Sequence, residues 1–218
     1  VARTNRGIKQ INKKEMANNL KSFVEVKGNE EVVKLIDSLI DKVNDNDSDS
    51  PVTAFATAFY DDVDLTEDRG VLNQWSYDNL GSKWTTLYDV IGEGEFSIES
   101  AWYPPKQFFI HLYNLCFPLD NDVVIEVRYE DETFDPVGAL VVKSVTKYGE
   151  HEDTTEGCIW SEEEVMEDPT VDMDWDDENY DEVSSEFYDS VYDTQVRLLS
   201  NCMELIELDG EPIEDYKV

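Results

Sequence analysis

A chain that sets 51 Asp and Glu against 17 Lys and Arg, a net charge of −34 over 218 residues, must fold against its own charge. Acid excess of this size ordinarily marks segments that bury too little apolar surface to offset the entropy of ordering. Here, however, 40% of residues are hydrophobic, with 5 Trp, 11 Tyr and 9 Phe, an aromatic load that disordered acidic tails lack. The charge must therefore coat a real core. The same field predicts no direct binding to DNA, RNA or an anionic membrane, because it repels polyanions. It favours a basic partner, a cation, or a protein that itself holds nucleic acid.

The acids are unevenly placed. Residues 1–27 carry seven Lys or Arg against Glu15 and Glu25, whereas residues 150–193 carry 19 acids and no Lys or Arg. We read residues 1–17 as a basic, flexible arm that is either a native extension or, the reading we favour, an upstream addition ahead of a functional start at Met16. Residues 18–149 read as the folded domain and 150–218 as an acidic extension with a long helix packed on that domain. Cys116, Cys158 and Cys202 are far apart and form no CxxC, which predicts reduced thiols rather than a disulfide framework or zinc site. No apolar run approaches the ~18 residues of a membrane span. These features predict a cytoplasmic protein of the host cell.

Periodicity supplies the architecture. Leu20–Lys27 alternates like a strand and ends at Gly28–Asn29, and Val32, Ile36, Leu39, Ile40 and Val43 recur at helical spacing. Val52–Tyr60 fits helix or strand. Trp84–Ile91 and Glu95–Ala101 read as a hairpin through Gly92 and Gly94. Pro104–Pro105 opens a helix to about Cys116, and Val123–Tyr129 and Val137–Val145 read as strands. The order β-α-β-β-α-β predicts an α+β, ferredoxin-like core with extra strand material and a C-terminal amphipathic acidic helix.

Two blocks carry a resemblance. One runs from Trp75 through Asn79-Leu80-Gly81-Ser82-Lys83-Trp84, the other from Phe96 to Ala101-Trp102-Tyr103-Pro104-Pro105. Together with the opening strand and its glycine turn, they resemble the YubB ferredoxin-like domain family of phage and plasmid proteins over about residues 18–145. Leu80 stands where that family has tryptophan, and the acidic block after residue 149 departs from it. The resemblance implies a mobile-element origin and the ferredoxin-like fold, and no chemistry. Trp75, Trp84 and Trp102 read as a packed corner of the core, with Lys83 in an ion pair. The competing reading makes Trp75, Lys83, Trp84 and Trp102 a groove reaching Pro105.

Catalytic patterns are missing from the sequence. There is no GxSxG, GxxxxGK[ST] or HExxH, and the two histidines, His111 and His151, lie in an apolar run and an acidic loop. Asp45-x-Asp47-x-Asp49 begins like a calcium loop, but Ser50 and Ala56 occupy its glycine and glutamate positions. Asp172-x-Asp174-x-Asp176 fails in the same way at Asp177 and Val183. We expect no enzyme, no metal and no cofactor.

The acidic third is the informative part. On a helix over Glu182–Glu207, residues Glu182, Glu186, Asp189, Asp193, Glu204 and Glu207 share one line, opposite Phe187, Val191, Leu198, Cys202 and Leu205. Glu162, Glu163, Glu164, Asp172, Asp174, Asp176, Asp177, Glu178 and Asp181 precede them. Like charges at i, i+4 destabilise a helix slightly, so their accumulation without basic neighbours points to a use. The expected function is a phage- or plasmid-encoded nucleic-acid mimic that occupies the DNA- or RNA-binding groove of a basic host protein, a restriction or CRISPR nuclease foremost. The alternatives are a packaged virion protein and a small-molecule-binding or catalytic domain using the Trp75–Pro105 groove.

Overall fold

The computed structural model describes residues 18–207 apart from 62, 64, 66, 67, 148–153, 172 and 178, so the basic arm and His151 lie outside the described residues. Strand β1 (Asn19–Lys27) alternates buried Leu20, Ser22, Val24 and Val26 with half-exposed Lys21, Phe23 and Glu25. Asn29 then caps α1 (Glu30–Asn44), its side-chain oxygen accepting from the Glu31 and Val32 amides at 2.9 and 3.1 Å. Gly28 has to be small here, because a Cβ would meet the Val32 side chain at 2.9 Å.

Val52–Tyr60, ambiguous in sequence, lies in helix α2 (Pro51–Phe59), capped by Ser50 with proline in its first turn. Six of its nine residues are buried, so it has almost no polar face and no legible period. A third helix, α3 (Arg69–Leu80), starts at the Asp68 cap and stops at Gly81, whose φ of +86° suits glycine. Strands β2 (Thr86–Gly92) and β3 (Glu95–Ala101) form the expected hairpin, followed by α4 (Lys106–Cys116), β4 (Val124–Asp131), β5 (Val137–Lys147), β6 (Thr154–Glu164) and α5 (Tyr180–Glu207).

Among the described residues the fold is α+β, a six-stranded antiparallel sheet with five helices. The strand order is β2-β3-β1-β4-β5-β6. One face carries the main core, where Val24, Ile98, Val127, Leu140 and Ile159 of the sheet meet Ile36, Phe55, Leu80, Phe108 and Leu112 of α1–α4. Helix α5 crosses the other face over β4–β6, closing two smaller clusters around Phe134, Val137, Phe187 and Val191 and around Val141, Cys158, Trp160 and Cys202.

Strand β6 pairs with β5 from Lys147↔Thr154 to Val137↔Glu164, which carries the sheet into the acid-rich third. Residues 157–160 at its centre are covered on both faces, Ile159 under the main core and Trp160 under α5. No polar–apolar alternation therefore announces it. Helix α5 follows the expected pattern, with Phe187, Val191, Leu198 and Cys202 buried. Two positions differ. Gln195 is also buried, its Nε2 donating to the Tyr129 carbonyl (3.2 Å) and Glu130 Oε2 (3.0 Å), and Leu205 is exposed near the end of the helix.

Candidate functional site

Helix α5 is pinned to the sheet by its apolar stripe, and this orients everything on its outer side. Glu182, Glu186, Asp189 and Asp193 are all exposed. They span 11 residues, ~16 Å of helix, at steps of ~4.5–6 Å. Among the described residues none of the four joins an ion pair. Exposed Tyr188 and Tyr192 run along one flank of this row, Tyr188 edge-on to Phe134 and Tyr192 under the Arg128 guanidinium at 4.9 Å.

Asp181 opens the helix beside this row, and Asp174, Asp176 and Asp177 are exposed in the segment before it. Between them stands Trp175, 83% exposed. Asp172 and Glu178 lie outside the described residues.

The β6 glutamates behave differently. Because side chains alternate along a strand, Glu162 and Glu164 point toward α5 and Glu163 to the opposite face. Glu162 accepts from Asn201 Nδ2 and Glu164 pairs with Arg197, both at 2.7 Å. Arg197 thus spends its charge on β6 rather than on the ridge it adjoins. Glu163 accepts from the buried Tyr129 hydroxyl at 3.1 Å. Burial and the Glu163 charge together push the Tyr129 phenol up, so it stays a donor. The three glutamates are anchored sheet residues and do not extend the free carboxylate row.

The tryptophan block divides. Trp75, on α3, is half-buried against the main core and packs edge-on against Tyr60, which stacks on His111. His111 Nε2 donates to the Phe59 carbonyl at 2.8 Å. Trp75 therefore belongs to the core and lines no part of the groove. Trp84 and Trp102 contact each other with ring centroids 6.0 Å apart, both with left-handed backbone (φ +36° and +61°). Trp102 is 41% exposed, which corrects its reading as a core residue. Lys83, expected in an ion pair, instead sets its ammonium 5.1 Å from the Trp102 ring centre.

A cavity of about 380 Å³ opens beside this pair, and Tyr77, Lys83, Trp102, Tyr103, Lys106 and Glu163 are among its walls. Burial pushes the Lys106 ammonium down, and the Glu163 carboxylate opposes that shift. Sequence reasoning missed Tyr77, Tyr103 and Lys106 and placed Glu163 on the acidic partner surface instead of here. Only the pairing of β6 with β5 carries Glu163 to this cavity.

Among the described residues no group of three or more His, Cys, Asp or Glu is placed to hold a metal, and no helix is long and apolar enough to cross a membrane. Comparison of the chain with protein-family models, with curated proteins and with solved structures found no match.

Proposed function

We propose that this protein is a non-enzymatic, nucleic-acid-mimicking inhibitor, encoded by a phage or plasmid. Its carboxylates occupy the DNA- or RNA-binding groove of a basic host protein, foremost a defence nuclease of the restriction or CRISPR type. One observation carries this reading. Four exposed carboxylates stand in a row on a rigid helix, and no described cation neutralises them. Their spacing of ~4.5–6 Å is wider than the ~3.4 Å rise per phosphate of one DNA strand, and exposed Asp174, Asp176, Asp177 and Asp181 add charge at the N-terminal end. Lysines and arginines that normally meet phosphates would meet these groups instead, giving fast, salt-sensitive association.

The scaffold reading belongs to the same proposal. The neighbours β4-β1-β3-β2, with α1–α3 and α4 between the strands, support reading the scaffold as a ferredoxin-like core to which β5, β6 and α5 are added. Together with the Trp75–Trp84 and Phe96–Pro105 blocks, this supports kinship with the YubB ferredoxin-like family and hence a mobile-element origin.

The test is competition. The immobilised chain should capture a nucleic-acid-binding protein from host lysate at low salt, and duplex DNA or RNA should displace it. A captured partner that keeps its nucleic acid while holding this chain would sink the proposal.

A further inference from the structure

Away from the acidic helix, a groove lies between α3 and the turns at residues 81–85 and 101–106. We propose that this groove binds a mononucleotide, its phosphate against Lys83 and Lys106 and its base on the exposed aromatic faces of Trp102 and Tyr77.

Size comes first. The cavity of about 380 Å³ adjoins a second hollow of about 520 Å³ that shares Tyr77, Lys83 and Trp102 with it. Both fall within the roughly 300–1,000 Å³ of small-molecule sites.

Charge decides the sign of the ligand. Two ammonium groups and one carboxylate line the cavity, a local excess of one positive charge in a chain of −34. Lys106 is largely withdrawn from water, with Ser161 Oγ at 3.4 Å, and the carboxylate facing it is held by the Tyr129 hydroxyl. An ammonium removed from water gains from a second anion. A cationic ligand would meet the like charges of Lys83 and Lys106.

The aromatic surfaces argue for more than a bare phosphate. Tyr77, Trp102 and Tyr103 are 56%, 41% and 67% exposed around one opening. A base gains by stacking on such a ring, whatever its sequence identity. Trp102 also holds φ +61°, a left-handed conformation that is strained for a bulky residue and persists only where the surroundings impose it. The strained turn leaves its ring facing the opening instead of the core. Glu163 supplies an acceptor for a ribose hydroxyl or an exocyclic amine. A long strand is disfavoured, because the acid-rich surface beyond the groove repels further phosphates.

The experiment is isothermal titration of the full chain with AMP, adenosine and inorganic phosphate. AMP should bind saturably at one site and ~10-fold or more tighter than adenosine or phosphate. Lys83→Gln, a change at a half-buried side chain, should weaken AMP by ~10-fold with an unaltered melting curve. Lys83→Gln combined with Lys106→Gln should weaken it further. Three results overturn the proposal: no saturable AMP binding at millimolar concentration, AMP no tighter than phosphate, or unchanged affinity in a folded Lys83→Gln. A 5′-phosphorylated oligonucleotide that binds more tightly than AMP would also overturn it, in favour of strand ends. None of these outcomes depends on the acidic helix having a partner.

Discussion

Tyr129 shows how one residue ties the two sides of the sheet together. Its ring is fully buried beneath α1–α4, its hydroxyl donates to Glu163, and its carbonyl receives the Gln195 amide from α5 on the far side. The ring exists only because Gly138, opposite it on β5, lacks a side chain; a Cβ there would sit 2.3 Å from the Tyr129 ring. The tyrosine has nowhere to go, since its tip is bonded and its flanks are packed. Gly138→Ala should therefore destabilise the fold by ~3 kcal/mol, the upper end of ordinary overpacking. Gly92→Ala is the control, with no foreign heavy atom closer than 3.7 Å, and should stay within ~0.5 kcal/mol of the parent. Urea denaturation of both variants checks the contrast.

Helix α5 divides stability from binding at the scale of one element. Its inner stripe closes both small clusters, whereas its outer carboxylates touch no described cation. Changing Glu182 and Glu186 to Gln and Asp189 and Asp193 to Asn removes four like charges. Stability should hold or rise by no more than ~1–2 kcal/mol, while partner affinity falls and loses salt dependence. Phe187→Ala should cost ~3 kcal/mol, because it empties the cluster with Phe134, Val137 and Val191. Thermal melts and partner titrations on the same samples separate the two effects. A ridge variant that binds its partner normally would move the binding surface elsewhere.

At the scale of the whole molecule, a net charge of −34 repels itself in the folded state and attracts a basic partner, so salt should act in opposite directions. Raising ionic strength from about 0.01 M to about 0.1 M shortens the screening length from ~30 to ~10 Å. The melting temperature of the free chain should rise over that interval, and affinity for the partner should fall. A melting temperature that drops with added salt would mean that attractive ion pairs outweigh the repulsion.

Local chemistry settles much of this protein in advance. Alternation in Leu20–Lys27, the helical spacing of Val32, Ile36, Leu39, Ile40 and Val43, the glycine hairpin after Ile91 and the apolar stripe of α5 are statements about neighbours in the chain, and these elements formed where the pattern places them. The exposed carboxylate ridge was legible for the same reason, since a helix that buries Phe187, Val191 and Leu198 must turn Glu182, Glu186, Asp189 and Asp193 outward. Elements buried over most of their length left no such trace: α2 is apolar almost all round, and the centre of β6 lies between two covering layers. The groove was legible only in part, through Lys83 and Trp102 of the tryptophan block. Tyr77, Trp102, Lys106 and Glu163 come from α3, a turn, α4 and β6, and only the packing of α3 and α4 and the pairing of β6 with β5 bring them to one opening. Sequence alone determined which faces carry charge, because helix and strand geometry act over a few residues. The tertiary structure decided which charges are spent and which stand free, because partners such as Glu164 and Arg197 meet only when distant segments pack.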